Sequence, residues 1–98
     1  MSLDKFFDDN DLSTERRNRI RLSVAAYAYE VHDNPIISDA EFDALADKIN
    51  VQVVTDNEMM DDFFREHFSP FTGQWIHKHP NKEGLEKVYV KVFKRKIR

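Results

Sequence analysis

Residues 27–45 read YAYEVHDNPIISDAEFDAL, and the order of residue types describes a helix end, a turn and a second helix start. Tyr27, Tyr29 and Val31 close an apolar helical run. Asp33, Asn34 and Pro35 follow as turn residues, and the residue before a proline is pushed out of helical geometry. The first helix is therefore expected to end near His32. Ser38 stands where an N-cap hydroxyl accepts an amide hydrogen of the next helix, and Glu41 in its third position can return the bond as a capping box. Ile37 before the cap and Phe42 inside the helix have the spacing of a hydrophobic staple, which sets the angle of entry. Two helices joined in this way make a defined corner.

Toward the N-terminus, Ser13 or Thr14 is expected to cap the first helix, leaving 1–12 as an acidic arm, loose or pinned through Phe6 and Phe7. Ile20, Val24, Tyr27 and Val31 fall on one stripe of a 3.6-residue period and are assigned to the core. Tyr29 lies nearly opposite, near Leu22 and Ala26, so the helix has a second apolar face; Tyr29 either packs on another helix or meets a ligand. The second helix is predicted over 39–48, burying Phe42, Leu45, Ala46 and Ile49. Asp39, Asp43 and Asp47 run along the edge of that stripe, repelling one another weakly, with Asp39 favoured by the helix N-terminus.

Further on, Thr55 with Glu58 has the spacing of another capping box. Met59, Met60, Phe63, Phe64 and Phe68 then predict a third helix over 56–67 with these side chains in the core. The stretch SPFTGQWIHKHP, 69–80, reads as a loop from which the only tryptophan, Trp75, plugs the core. His77 and His79 form an H-x-H pair that needs His67 or a carboxylate as third ligand; spacing fixes none, and no metal site is assigned. Val88, Val90 and Val92 alternate as in a strand, yet Leu85, Val88, Tyr89, Val92 and Phe93 follow helical spacing. Asn81 can cap, Glu83 and Glu86 sit early and the lysines late, as the helix dipole favours, and a lone strand has nothing to pair with. The fold class is a small all-α four-helix domain; the alternative is α+β with a C-terminal strand or hairpin.

The 98 residues suffice for one domain, 1–98. With no cysteine, disulfide and thiolate chemistry are excluded, and a reducing cytoplasm is compatible. No apolar run approaches the roughly 20 residues of a membrane span, and the acidic start is unlike a signal peptide. A soluble cytoplasmic protein without membrane contact is expected. The net charge of −3 hides an asymmetry: 1–77 holds 7 Lys+Arg against 16 Asp+Glu, giving −9, and 78–98 holds 8 against 2, giving +6. Lys91, Lys94, Arg95, Lys96 and Arg98 can contact phosphates or a partner, or simply favour a helix C-terminus.

Over 27–45 the chain resembles domain Ia, the opening helical segment of bacterial NAD-dependent DNA ligases. The consensus there is Y-x-Y-[HY]-V-x-D-x-P-x-I-[SP]-D-A-E-Y-D-x-L. This sequence follows it without a gap, departing at Glu30, where the family has histidine, and Phe42, where it has tyrosine. Counting the approach from Ser13, the resemblance extends over 13–50; 51–98 shows none. It implies a helical hairpin and a site for the nicotinamide mononucleotide half of NAD at Tyr29, Glu30, Asp39, Phe42 and Asp43. Glu30 adds an anion that repels the ligand's phosphate, and Phe42 keeps a stacking surface but lacks a hydroxyl, so binding is expected to be absent or weaker than about millimolar.

The ligase reaction needs a lysine nucleophile in a K-x-D-G motif, which does not occur here. The expected function is therefore non-enzymatic binding. Stand-alone proteins with a ligase-like hairpin look like bacteriophage accessory proteins. A protein partner in the host cytoplasm is the leading expectation, inhibition of a host defence such as CRISPR being one compatible role for an acidic surface. A nicotinamide mononucleotide or NAD sensor or carrier, and a nucleic-acid-binding accessory protein using the basic C-terminus, are the alternatives. No resident cofactor is assigned, and the oligomeric state is left open.

Overall fold

The structure, a computed structural model, describes residues 2–91, with side chains from Leu12 onward. Four helices follow one another: α1 (Ser2–His32), α2 (Asp39–Lys48), α3 (Glu58–His67) and α4 (Lys82–Tyr89), with a 3-10 turn at Gln74–Lys78 between the last two. No strand occurs among the described residues, so the domain is all-α and the α+β alternative is set aside. Val88 belongs to α4 and Val90 continues it with helical torsions; helical spacing has prevailed over the alternation of valines.

The long axis of the fold, 49 Å, is close to the length of α1, ~46 Å for its 31 residues at 1.5 Å each. α2, the 3-10 turn and α4 all pack on α1, and α3 packs on the 3-10 turn. α1 carries no glycine or proline, so nothing in its composition interrupts it before Asp33. Its start at Ser2 corrects the expectation of an arm over 1–12: Ser13 and Thr14 sit inside the helix and cap nothing. At the other end Asp33 takes a left-handed φ of 52° and its N–H donates to the Tyr29 carbonyl at 3.1 Å, the geometry that ends a helix.

The buried arc of α1 also differs from its most apolar stripe. Val24 and Tyr27 are buried as expected, but Ile20 and Val31 are 59% and 46% exposed. Leu22 and Ala26 are fully buried instead. The reason is tertiary: α1 is flanked by three elements, and those neighbours decide which residues are covered.

Ser38 caps α2 and Glu41 closes the capping box, with bonds of 3.1 and 2.9 Å. The Ser38 backbone N–H is the main cause that holds the Glu41 carboxyl below its ordinary value. Leu45 and Ala46 are buried, with Phe42 and Ile49 packed against the core. α3 is capped by Asn57, not Thr55: the Asn57 side chain accepts from the Met60 N–H at 3.2 Å. Thr55 is diverted because Asp61 takes both its N–H, at 2.9 Å, and its hydroxyl, at 2.7 Å. Phe63 and Phe64 are buried and Met60 and Phe68 pack on the core, while Met59 is 55% exposed, contrary to its core assignment. Trp75 is buried as expected, its ring within 5.3 Å of Phe68 and 5.5 Å of Phe64.

A buried cation ties α1 to the segment before α3. Arg19 donates to Glu15 at 2.7 Å and to Asp61 at 2.8 Å, and reaches the carbonyls of Asn50 and Val53. Its guanidinium lies 5.2 Å over the Phe64 ring. Burial raises the Asp61 carboxyl, but the Thr55 bonds and Arg19 outweigh it and hold the group below its ordinary value.

Candidate functional site

The corner between α1 and α2 opens into a cleft of about 330 Å³. α1 contributes Tyr29 and Glu30 from its last turns, and the capped start of α2 contributes Asp39, Phe42 and Asp43. All five residues named by the ligase resemblance thus line one cavity. Hydrogen bonding explains their convergence: the left-handed cap at Asp33 ends α1 with Tyr29 one turn back, and the Ser38 box starts α2 with Asp39 and Asp43 on the same side.

A further wall comes from the loop after α3, which sequence reasoning assigned only to holding Trp75. Phe71, Thr72 and Gly73 line the cleft from that side, and Phe71 is 92% exposed. A β-carbon at Gly73 would stand 3.5 Å from both Ala26 and Phe42, so the loop backbone comes close enough to close the cavity floor. The one available signal for this wall was the pair Pro70 and Gly73 around an apolar Phe71, which marks a turn but not what the turn faces.

The cleft is acidic and aromatic. Glu30, Asp39 and Asp43 line it, and no lysine, arginine or histidine does. Glu30 is three-quarters buried or more, with 18% of its side chain exposed, and its carboxylate lies 3.2 Å from His77 Nε2. Asp39 and Asp43 are exposed and make no ion pair among the described residues. Tyr29 is half exposed and Phe42 half buried, so their rings form walls rather than core. Such a cavity offers π faces and negative charge, the two attributes that attract a flat cation.

The two histidines of the H-x-H pair diverge. His77 is exposed beside Glu30, whereas His79 is buried with its ring 5.0 Å from Phe63. Among the described residues no three His, Cys, Asp or Glu side chains are grouped to hold a metal. Nor is any described helix long and apolar enough to cross a membrane. Of the basic contact residues, Lys91 is exposed; Lys94, Arg95, Lys96 and Arg98 lie outside the described residues, as do Val92 and Phe93.

Away from the cleft, α1 is latched to α4. Glu86 Oε1 accepts from the Tyr27 hydroxyl at 2.6 Å and lies 2.7 Å from His32 Nε2. The His32 ring stacks on Tyr89 at 4.1 Å, and Asn34 donates to the Tyr89 hydroxyl at 2.8 Å. Burial, with Glu86 adding to it, pushes the Tyr27 hydroxyl up to about 12. The latch fixes the end of α1 and with it the position of Tyr29.

Compared with protein-family models, curated proteins and solved structures, the chain matches none.

Proposed function

We propose that this protein is a non-enzymatic binding protein whose α1–α2 cleft receives a nicotinamide ring carried on a nucleoside. The observation that carries the reading is the convergence of Tyr29, Glu30, Asp39, Phe42 and Asp43 on one cavity of ligand size. The pyridinium ring of such a ligand is flat and cationic, and the cleft supplies aromatic faces with three carboxylates. The same charges disfavour a phosphate, because like charges close together in a partly desolvated site repel strongly. The nucleoside is therefore the preferred form over the mononucleotide or NAD.

Chemical-shift mapping with nicotinamide riboside, nicotinamide mononucleotide and NAD tests this. The riboside is expected to perturb Tyr29, Asp39 and Asp43, to lose that effect in Tyr29→Ala, and to bind more tightly than the mononucleotide, which stays weaker than about millimolar. Absence of any shift with all three ligands removes the reading. A second reading, a phage-type accessory protein acting on a host or phage protein, is favoured by the apolar side chains left in solvent, Phe71 at 92% and Val54 at 72%. Single apolar residues on a surface are common, so the cleft carries more weight.

A further inference from the structure

Along earlier turns of α1 than the cleft lies a second groove, of about 380 Å³, between α1, the start of α3 and α4. Its walls are Ile20, Val24, Met59, Met60, Leu85 and Val88. Ile20, Met59 and Val88 hold 59%, 55% and 39% of their surface in solvent, so two of the residues that departed from their core assignment, Ile20 and Met59, meet at one place. No aspartate or glutamate lines the groove, although Arg16 and Arg19 do. The lining joins residues of the acidic 1–77 segment to His79, Asn81, Gly84, Leu85 and Val88 of the basic one.

One buried polar group within it lacks a partner, and a second keeps one open donor. Ser23 is 2% exposed and lines the groove, and its Oγ has no hydrogen-bond partner; a buried hydroxyl left so is costly. His79 also lines the groove. Its Nδ1 accepts the Asn81 N–H at 2.9 Å, so in the neutral ring the proton resides on Nε2, which bonds to no described residue. Burial first, and Lys82 second, hold that imidazole down at about 4, so near neutrality it is a neutral donor. At the mouth Arg16 is 46% exposed and pairs with Asp56, itself 78% exposed, at 3.1 Å. A pair so exposed is weak and yields to a competing carboxylate.

We propose that this groove binds a small aliphatic carboxylate, its chain lying between Ile20, Met59 and Val88 and its acceptor oxygens taken by Ser23 and His79. The apolar walls supply affinity for the chain, the Ser23 and His79 donors meet an acceptor, and Arg16 at the mouth, with no carboxylate in the lining, favours one that is anionic. The site is independent of the α1–α2 cleft and of the reading given to it.

Octanoate titrated into the full chain, followed by methyl and amide chemical shifts, is the test. Saturable shifts at Ser23, Met59 and Val88 are expected, with octylamine bound at least about tenfold more weakly and Tyr29→Ala without effect. His79→Phe keeps the ring on Phe63 but removes the donor, and Met59→Glu, at a position 55% exposed, adds a repelling charge; each is expected to weaken octanoate by about tenfold or more. No saturable shift in the low millimolar range, equal binding of octylamine, or octanoate unaffected by Met59→Glu overturns the proposal. So does a groove whose shifts depend on protein concentration alone, which would assign it to a second copy of the chain.

Discussion

Arg19 is held at 5% side-chain exposure by two carboxylates, two backbone carbonyls and an aromatic face. Its pairs stand on an asymmetry: a buried ion pair repays its desolvation only narrowly, yet removing one member strands the other charge away from water. Arg19→Met is therefore expected to cost about 3–5 kcal/mol, most of it from Glu15 and Asp61 left buried without their cation. Asp61→Asn removes one of those charges. The double variant should lose less than the sum of the singles, since residues in one network couple by about 0.5–3 kcal/mol. Urea denaturation of the four proteins of that cycle measures it, and strict additivity would mean that the network is a set of independent contacts. Nothing in the spacing of Arg19 announced this role; an arginine in an acidic helix reads as surface, and only the fold brings Asp61 from 42 residues away.

At the scale of elements, the core rests on few large side chains. Phe64 is fully exposed to its neighbours and to no solvent, with Arg19 on one face and Phe63, Phe68 and Trp75 around it. Phe64→Ala is expected to cost about 3–5 kcal/mol and Leu45→Ala about 2–5; a loss below about half a kcal/mol in either would contradict their burial. Ser38→Ala should cost about 1 kcal/mol by uncapping α2, and because the same cap aims Asp39 and Asp43 into the cleft, ligand affinity should fall with it. Thr55→Ala, by contrast, acts through Asp61 and not through a cap. These elements differ in how far they were legible. The corner over 27–45 was readable to within a residue, α2 at both its ends, because caps and turns are local chemistry between neighbours in sequence. The start of α1, the exposure of Ile20, Val31 and Met59, and the cap of α3 were not. The exposure of Ile20 and Val31 depends on the three elements packed around α1, and the cap of α3 on Asp61, six residues after Thr55, which takes the Thr55 N–H and hydroxyl. The five cleft residues were legible through the resemblance, whereas the wall at Phe71 and Gly73 was not, since a turn signal does not say what the turn will face.

For the whole molecule, three titrating groups combine into a single stability profile, because a small domain with one core is expected to unfold in one cooperative step. His79 is held at about 4 against 6.5 for an unperturbed imidazole, so between those values the unfolded chain binds the proton that the folded one refuses. Stability then falls as pH drops from about 6.5 to about 4. Asp61 is held below its ordinary 3.8; its contribution is present above that value and is lost as pH falls below it. Tyr27 titrates at about 12 against 10, so the folded chain keeps a proton that the unfolded one releases, and stability declines as pH rises from about 10 to about 12. The maximum is accordingly expected between about pH 6.5 and pH 10. Urea melts across pH measure the profile, and single variants assign its limbs. His79→Phe should flatten the decline between about pH 6.5 and pH 4 while leaving the steeper loss at lower pH, and Tyr27→Phe should flatten the alkaline limb alone. If Tyr27→Phe left the alkaline slope unchanged, the Tyr27 hydroxyl would not be the group, raised by burial first and by Glu86 second, that sets the alkaline limb.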